Sequence, residues 1–219
     1  VMFRCTLATL LVITLFCTHA EGESPIDLDR RMSRILEGDN SLLALDYFME
    51  ALALGSPIID YSTTFDLWYP AQNSIYPNSS RLSTSAILAT YALTGFIKYS
   101  VRRERPQRRY QPRLWNTRIT PSFPSGHAAS SALFAAIYSH YHPEAKLPAL
   151  AYVIASAYSQ VYVGNHYLSD VMAGVLLGAT LGIIMTKEDT TDENSDKLAS
   201  RAPPFSLTFA FSLPSNKVK

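Results

Sequence analysis

The chain has 219 residues, with 19 basic against 18 acidic side chains and a formal net charge of +1. That length suits one domain with a sizeable core, and a charge so near zero excludes any argument for a partner from bulk charge alone. Both cysteines, Cys5 and Cys17, fall within the first twenty residues, so a chain processed after that segment has no disulfide or thiolate chemistry available.

Residues 2 to 20 open on a short basic start, continue as an apolar run and leave through Thr18 and Ala20. This is the pattern of a secretory signal peptide, and the run from Thr6 to Phe16 is short for a membrane span. Residues 21 to 40 are polar, carry both signs of charge and lead into a helix near Asn40. From Ser41 to Leu54 the apolar positions Leu42, Leu45, Phe48, Met49 and Leu52 recur at helical spacing, and Gly55-Ser56-Pro57 is expected to stop that helix. Asp60 to Ser80, rich in Tyr, Pro, Asn and Ser, is expected to be an ordered loop; Asn78-Ser79-Ser80 matches a glycosylation acceptor.

A helix is expected over Leu82 to Val101, with no charge between Leu82 and Ile97 and Lys98 in its last turn. The next stretch, Arg102 to Arg118, carries seven arginines against one glutamate, and Pro106 and Pro112 keep it irregular. Such a run fits a nucleic-acid arm, a cytoplasmic membrane loop or the wall of an anion site. A signal peptide argues against the first two, which need the cytoplasmic side. Further helices are expected from Ser125 or Gly126 to about His140, from Lys146 to Gly164 and from Ser169 to Thr186. In the last of these, Gly174, Gly178 and Gly182 would let a neighbour approach closely. His140-Tyr141-His142 is expected to end a helix rather than bind metal. Residues 187 to 204 have the composition of a solvated linker, and 205 to 213 alternate as a short C-terminal β-strand would.

Three polar clusters carry the chemistry. His166 and Asp170 stand four apart, an imidazole with a carboxylate to orient it. Pro124-Ser125-Gly126-His127 puts a hydroxyl, backbone amides and a second imidazole at a helix start, where an anion is favoured. Lys98 and Arg105, seven apart across a helix end, offer a point charge and a planar fork. Each alone has a plain structural reading: a polar pair, an N-cap, a solvated helix end. Together they offer what phosphoryl transfer needs: a nucleophile, donors for the equatorial oxygens and an acid for the leaving group.

In order and spacing, Lys98-x6-Arg105-Pro106, Pro124-Ser125-Gly126-His127 and Ser159-Gln160-x5-His166-x3-Asp170 resemble the three-part signature of the type 2 phosphatidic acid phosphatase (PAP2) and vanadium haloperoxidase superfamily. The resemblance covers about Leu82 to Thr186. It implies an all-α helical bundle with its polar site at helix ends on the non-cytoplasmic side. The domain would occupy residues 21 to 186, after the signal peptide (1 to 20) and before a polar tail (187 to 219). It further implies that His166 is a nucleophile forming a phosphohistidine, that Asp170 orients it, and that His127 is the acid and then the base. Lys98, Arg105, Ser125 and the Gly126 amide would hold phosphate oxygens.

No metal or other cofactor is implied by that mechanism. The implied partner is a phosphorylated small molecule or lipid phosphate, with membrane association and self-association both open and no nucleic acid. The third motif normally begins Ser-Arg, and here Gln160 stands in the place of the phosphate-contacting arginine. Losing a charge-assisted bond typically lowers transition-state binding by about 1–2 kcal/mol, roughly 5- to 30-fold. Arg102, Arg103, Arg108 and Arg109 are candidates to make up the charge. The expected function is an exported phosphomonoester phosphatase, periplasmic or membrane-associated. The alternatives are a vanadate-dependent haloperoxidase and a non-catalytic binder of anionic head groups.

Overall fold

The computed structural model describes residues 24–73, 79–118 and 121–195, with side chains described outside 61–84 and 188–195. The expected signal segment, Asn78 of the glycosylation acceptor and the expected strand over 205–213 lie outside the described residues. Within them the chain is all-α: α1 (Pro25–Leu36), α2 (Leu43–Asn73), α3 (Ser79–Val101), α4 (Gly126–Tyr141), α5 (Lys146–Tyr162) and α6 (Leu168–Ser195), with a 3-10 turn at Pro143–Ala145.

Several boundaries differ from those expected, each for a local reason. The polar lead-in is itself a helix, α1: Ser24 caps it by accepting from the Asp27 amide, and Pro25 stands where a missing N–H costs nothing. Gly55-Ser56-Pro57 does not stop α2, which runs on through the expected loop to Asn73. Pro57 lacks the N–H that would bond the Ala53 carbonyl, and the Gln160 side-chain amide donates to that carbonyl at 2.9 Å in its place. At the other end, α6 continues past Thr186 to Ser195, since neither Gly nor Pro interrupts the sequence there.

The tightest seam joins α4 and α6. A Cβ on Gly178 would sit 1.9 Å from the Ala129 carbonyl oxygen, and one on Gly174 would sit 2.4 Å from that of Ser125. The glycines therefore bring α6 against the α4 backbone, as their spacing suggested. Behind this seam buried polar residues sit beside the apolar core of Leu133 and Ile137. Ser130, Ser131, Ser156 and Asp60 are all buried, and Asp60 of α2 accepts from Ser130 Oγ (2.6 Å) and Tyr152 OH (2.8 Å) to tie three helices.

The outside is apolar instead: Ile58, Leu88, Phe96, Leu147, Ile154 and Ile183 stand exposed, Leu147 to 77%. A bundle with buried polar groups tied between its helices and an apolar exterior suits a lipid surround. Leu168–Lys187 in α6 is long and apolar enough to cross a membrane. These features favour the membrane-associated form of the expected localisation over a free periplasmic one.

Candidate active site

The polar residues meet at the end of the bundle where α3 and α5 finish and α4 and α6 begin. After Tyr162 the chain reverses on Gly164, whose φ of +64° suits glycine. The amides of Asn165 and His166 both donate to the Gln160 carbonyl, at 2.9 and 3.2 Å, which fixes the His166 backbone. Its ring is buried. Nδ1 lies 3.5 Å from Asp170 Oδ2, an ion-pair separation, and Nε2 lies 3.2 Å from Arg105 Nη1. A carboxylate on the Nδ1 side favours the proton there and leaves the Nε2 lone pair for chemistry.

Asp170 is held from every side. Ser122 Oγ and the Tyr167 amide (3.0 Å) donate to Oδ2, and Arg103 Nη1 donates to Oδ1 at 2.7 Å. Arg103 also donates through Nη2 to Asp29 Oδ2 of α1 at 2.6 Å, and its guanidinium lies 4.1 Å from the Tyr167 ring centroid. Asp29 accepts in turn from the Ser169 amide (2.9 Å) and Ser169 Oγ (2.6 Å). An orienting carboxylate fixed in this way can hold an imidazole in one attitude.

His127 sits in the first turn of α4. Ser125 caps that helix by accepting from the Ala128 amide, and the Ser125 amide donates to the Asp170 carbonyl at 2.9 Å. Ser125 is fully buried. Burial, with Arg105 and Lys98 nearby, pushes the His127 pKa down to about 4. For His166, burial again acts first; Asp170 opposes it, Arg105 and Lys98 add to it, and the result is also about 4.

The two expected clamp cations differ. Arg105 donates from Nη1 to the Asn165 carbonyl at 2.6 Å and lies against the His166 ring, where an anion on Nε2 would meet it. Lys98 has Nζ on three carbonyls, those of Pro121 (2.9 Å), Ser122 (3.1 Å) and Pro124 (2.9 Å). It therefore props the turn before α4 and acts on the site through its field. Burial first, and then Arg105, lowers its pKa to about 8.

Gln160 is buried, and its side chain faces α2 and Asn165: Nε2 donates to Ala53 and Oε1 accepts from Asn165 Nδ2 at 3.0 Å. Among the arginines weighed as substitutes, Arg103 goes to Asp170 and Asp29, Arg109 to Glu37, and Arg102 Nε to the Tyr99 carbonyl. Arg108 does reach the neighbour of His166, donating to Asn165 Oδ1.

Arg118 was not anticipated. It donates to the Pro106 (3.0 Å) and Gly164 (2.8 Å) carbonyls, and burial first, then the charges of Arg118 and Arg105, lowers the Arg108 pKa to about 10. The parts played by Asp29, Ser122 and Asn165 likewise show in three dimensions. Asn165 was detectable as the neighbour of His166, but Asp29 stands 141 positions from Asp170 and gave no signal. Among the described residues, no group of three or more His, Cys, Asp or Glu could hold a metal.

A cavity of about 310 Å³ opens beside His166 and Arg105, lined also by Arg30, Ser33 and Arg34 of α1.

A family model described as the PAP2 superfamily matches residues 82–191. The decaprenylphosphoryl-5-phosphoribose phosphatase of Mycobacterium tuberculosis is 40% identical over 98 residues, covering 43% of this chain and 52% of that protein. The lipid A 1-phosphatase of Rhizobium johnstonii is 36% identical over 63 residues, covering 29% and 26%. The chain thus spans about half the length of the first of these relatives, and less of the second.

Among solved structures, a transmembrane PAP2-type phosphatidylglycerolphosphate phosphatase from Bacillus subtilis superposes with a TM-score of 0.67 at 16% identity, over 84% of this chain and 96% of that one. Aquifex aeolicus LpxE superposes with a TM-score of 0.59 at 25% identity, over 73% and 95%.

Proposed function

Since this chain belongs to the PAP2 superfamily, we propose that it is an exported, membrane-associated phosphatase that hydrolyses phosphomonoesters of lipid-linked substrates through a phosphohistidine on His166. One observation carries the reading: the His166 ring has Asp170 on its Nδ1 side and Arg105 beside Nε2, on the wall of a cavity.

In the first step Nε2 attacks phosphorus and the P–O bond to the leaving group breaks. Asp170 stabilises the charge that develops on the ring. His127 gives its proton to the departing oxygen. In the second step water attacks phosphorus, His127 takes the water's proton, the P–N bond breaks and inorganic phosphate leaves. Arg105, the α4 N-terminus and the field of Lys98 oppose the charge on the equatorial oxygens. Gln160 takes no part in these steps; Arg105, Arg108 and Arg118 supply the positive field that its position lacks.

The test is hydrolysis of a chromogenic phosphate ester and of phosphatidic acid by the detergent-solubilised chain and its His166→Ala form. Acid-labile phosphate trapped on the parent during turnover, and absent from His166→Ala, is the expected result. No turnover by folded parent on any phosphate ester would refute the reading. Halide oxidation dependent on added vanadate would move it to the haloperoxidase alternative.

A further inference from the structure

α1 docks by one pair of positions and leaves the adjacent pair facing the cavity. Asp29 and Ser33, one turn apart and both buried, hold the helix to the start of α6. Asp29 takes the Ser169 amide and hydroxyl together with Arg103, and Ser33 Oγ accepts from the Leu168 amide at 2.8 Å. The next residues along, Arg30 and Arg34, are therefore also stacked at i and i+4, and both line the cavity that holds His166 and Arg105.

Neither cation is strongly engaged. Arg30 meets Asp27 at 3.4 Å, with both side chains more than half exposed, a pair worth little. Arg34 has no ion-pair partner among the described residues. Two carboxylates share the cavity wall. Glu37 is already occupied by the Arg109 and Tyr110 amides (2.6 and 2.9 Å) and by Arg109 Nε, which leaves Glu104 to oppose them.

The cavity, about 310 Å³, is also larger than the group transferred at His166 needs, and Arg30 and Arg34 of α1 line it together with Arg105. We propose that Arg30 and Arg34 form a second anion subsite, which selects substrates carrying another negatively charged group, such as a phosphodiester, beyond the phosphomonoester that is cleaved. Planar guanidinium groups match a phosphate-type oxyanion through paired N–H donors. This deepens the phosphatase reading above and rests on it.

The experiment compares phosphatidic acid with phosphatidylglycerol phosphate of the same acyl chains, a monoester without and with a phosphodiester, in detergent micelles. Parent, Arg30→Gln/Arg34→Gln and Arg34→Lys chains are assayed. The parent is expected to favour the two-anion lipid at least tenfold in kcat/KM. The double variant should reduce that preference about tenfold or more, chiefly through KM, and Arg34→Lys should retain part of it. No preference in the parent, or an equal loss on both lipids, overturns the proposal. So does stimulation of phosphatidic acid hydrolysis by added phosphatidylglycerol without a two-anion preference, since the second anion would then be a neighbouring lipid.

If the folded parent cleaves neither lipid, the phosphatase reading fails and the subsite is judged by binding. Tighter binding of inorganic pyrophosphate than of orthophosphate by His166→Ala, lost in the double variant, would sustain it. Equal binding of the two anions would end it.

Discussion

Gln160 of α5 donates its side-chain amide to the Ala53 carbonyl of α2, 2.9 Å away, the oxygen that Pro57 leaves without a helical donor. The residue that looks like a lost phosphate ligand in the sequence is thus one half of a compensation. A buried carbonyl without a donor costs about 1–3 kcal/mol. Gln160→Ala should destabilise the detergent-solubilised chain by that order, and Pro57→Ala should recover much of the loss by restoring the N–H. A double-mutant cycle read by thermal unfolding checks the coupling; additive effects would break the link. Gln160→Arg is expected to lower stability without raising turnover.

Arg103 touches no substrate in the proposed mechanism, but it joins Asp170 to Asp29. Arg103→Gln should lower kcat about 10- to 100-fold with little change in KM, as expected when an orienting group loses its own support. Arg103→Lys should recover only part of this, since one ammonium cannot span both carboxylates in the same way. Asp29→Asn should give a milder form of the same defect with an altered pH profile. A loss confined to KM would argue for substrate contact instead.

The two histidines set the pH response. Both have folded pKa values near 4, against an unfolded value of 6.5. Between those values the unfolded chain takes up protons that the folded one refuses. Stability present above pH 6.5 should therefore fall as pH drops towards 4, by up to about 3 kcal/mol for each histidine. Unfolding midpoints measured from pH 7.5 to 4.5 check this, and His127→Gln should flatten part of the slope. Catalysis needs a neutral His166 and a protonated His127, so kcat/KM should peak on the acid side of neutrality, with apparent pKa values that belong to the pair.

Gly178→Ala tests the seam. Its Cβ would fall 1.9 Å from the Ala129 carbonyl oxygen, a backbone atom that cannot swing aside. Overpacking of this kind costs about 1–3 kcal/mol or more. A lower unfolding midpoint with reduced activity is expected, whereas Gly55→Ala, which meets nothing within 4 Å, should be tolerated.

The His166–Asp170 pair, the place of His127 at a helix start and the α4 and α5 helices are legible because short-range spacing fixes them: a cap, a period, a glycine repeat. What escaped was set by contacts distant in sequence. In α1 the apolar Ile26, Leu28, Met32 and Ile35 stay exposed and the polar Asp29 and Ser33 are the buried ones, so its helix shows only when those two find α6. Pro57 looked like a stop because its missing bond is made good by a residue 103 positions away. Lys98 was expected on the phosphate, but nothing local says that three carbonyls of the 121–124 turn would gather around its ammonium. The arginine-rich stretch has the wall of an anion site as one of three readings in the sequence, and which guanidinium goes where depends on Asn165, Gly164 and Asp29.

The Ser125 amide bonds the Asp170 carbonyl, which makes the α4–α6 seam a fixed calliper across the reaction centre. One jaw carries His127 and the other carries Asp170, and main chain rather than side chain sets the gap between them. Changes on the lipid-facing flanks of these helices should therefore alter how long the protein survives well before they alter the chemistry it performs.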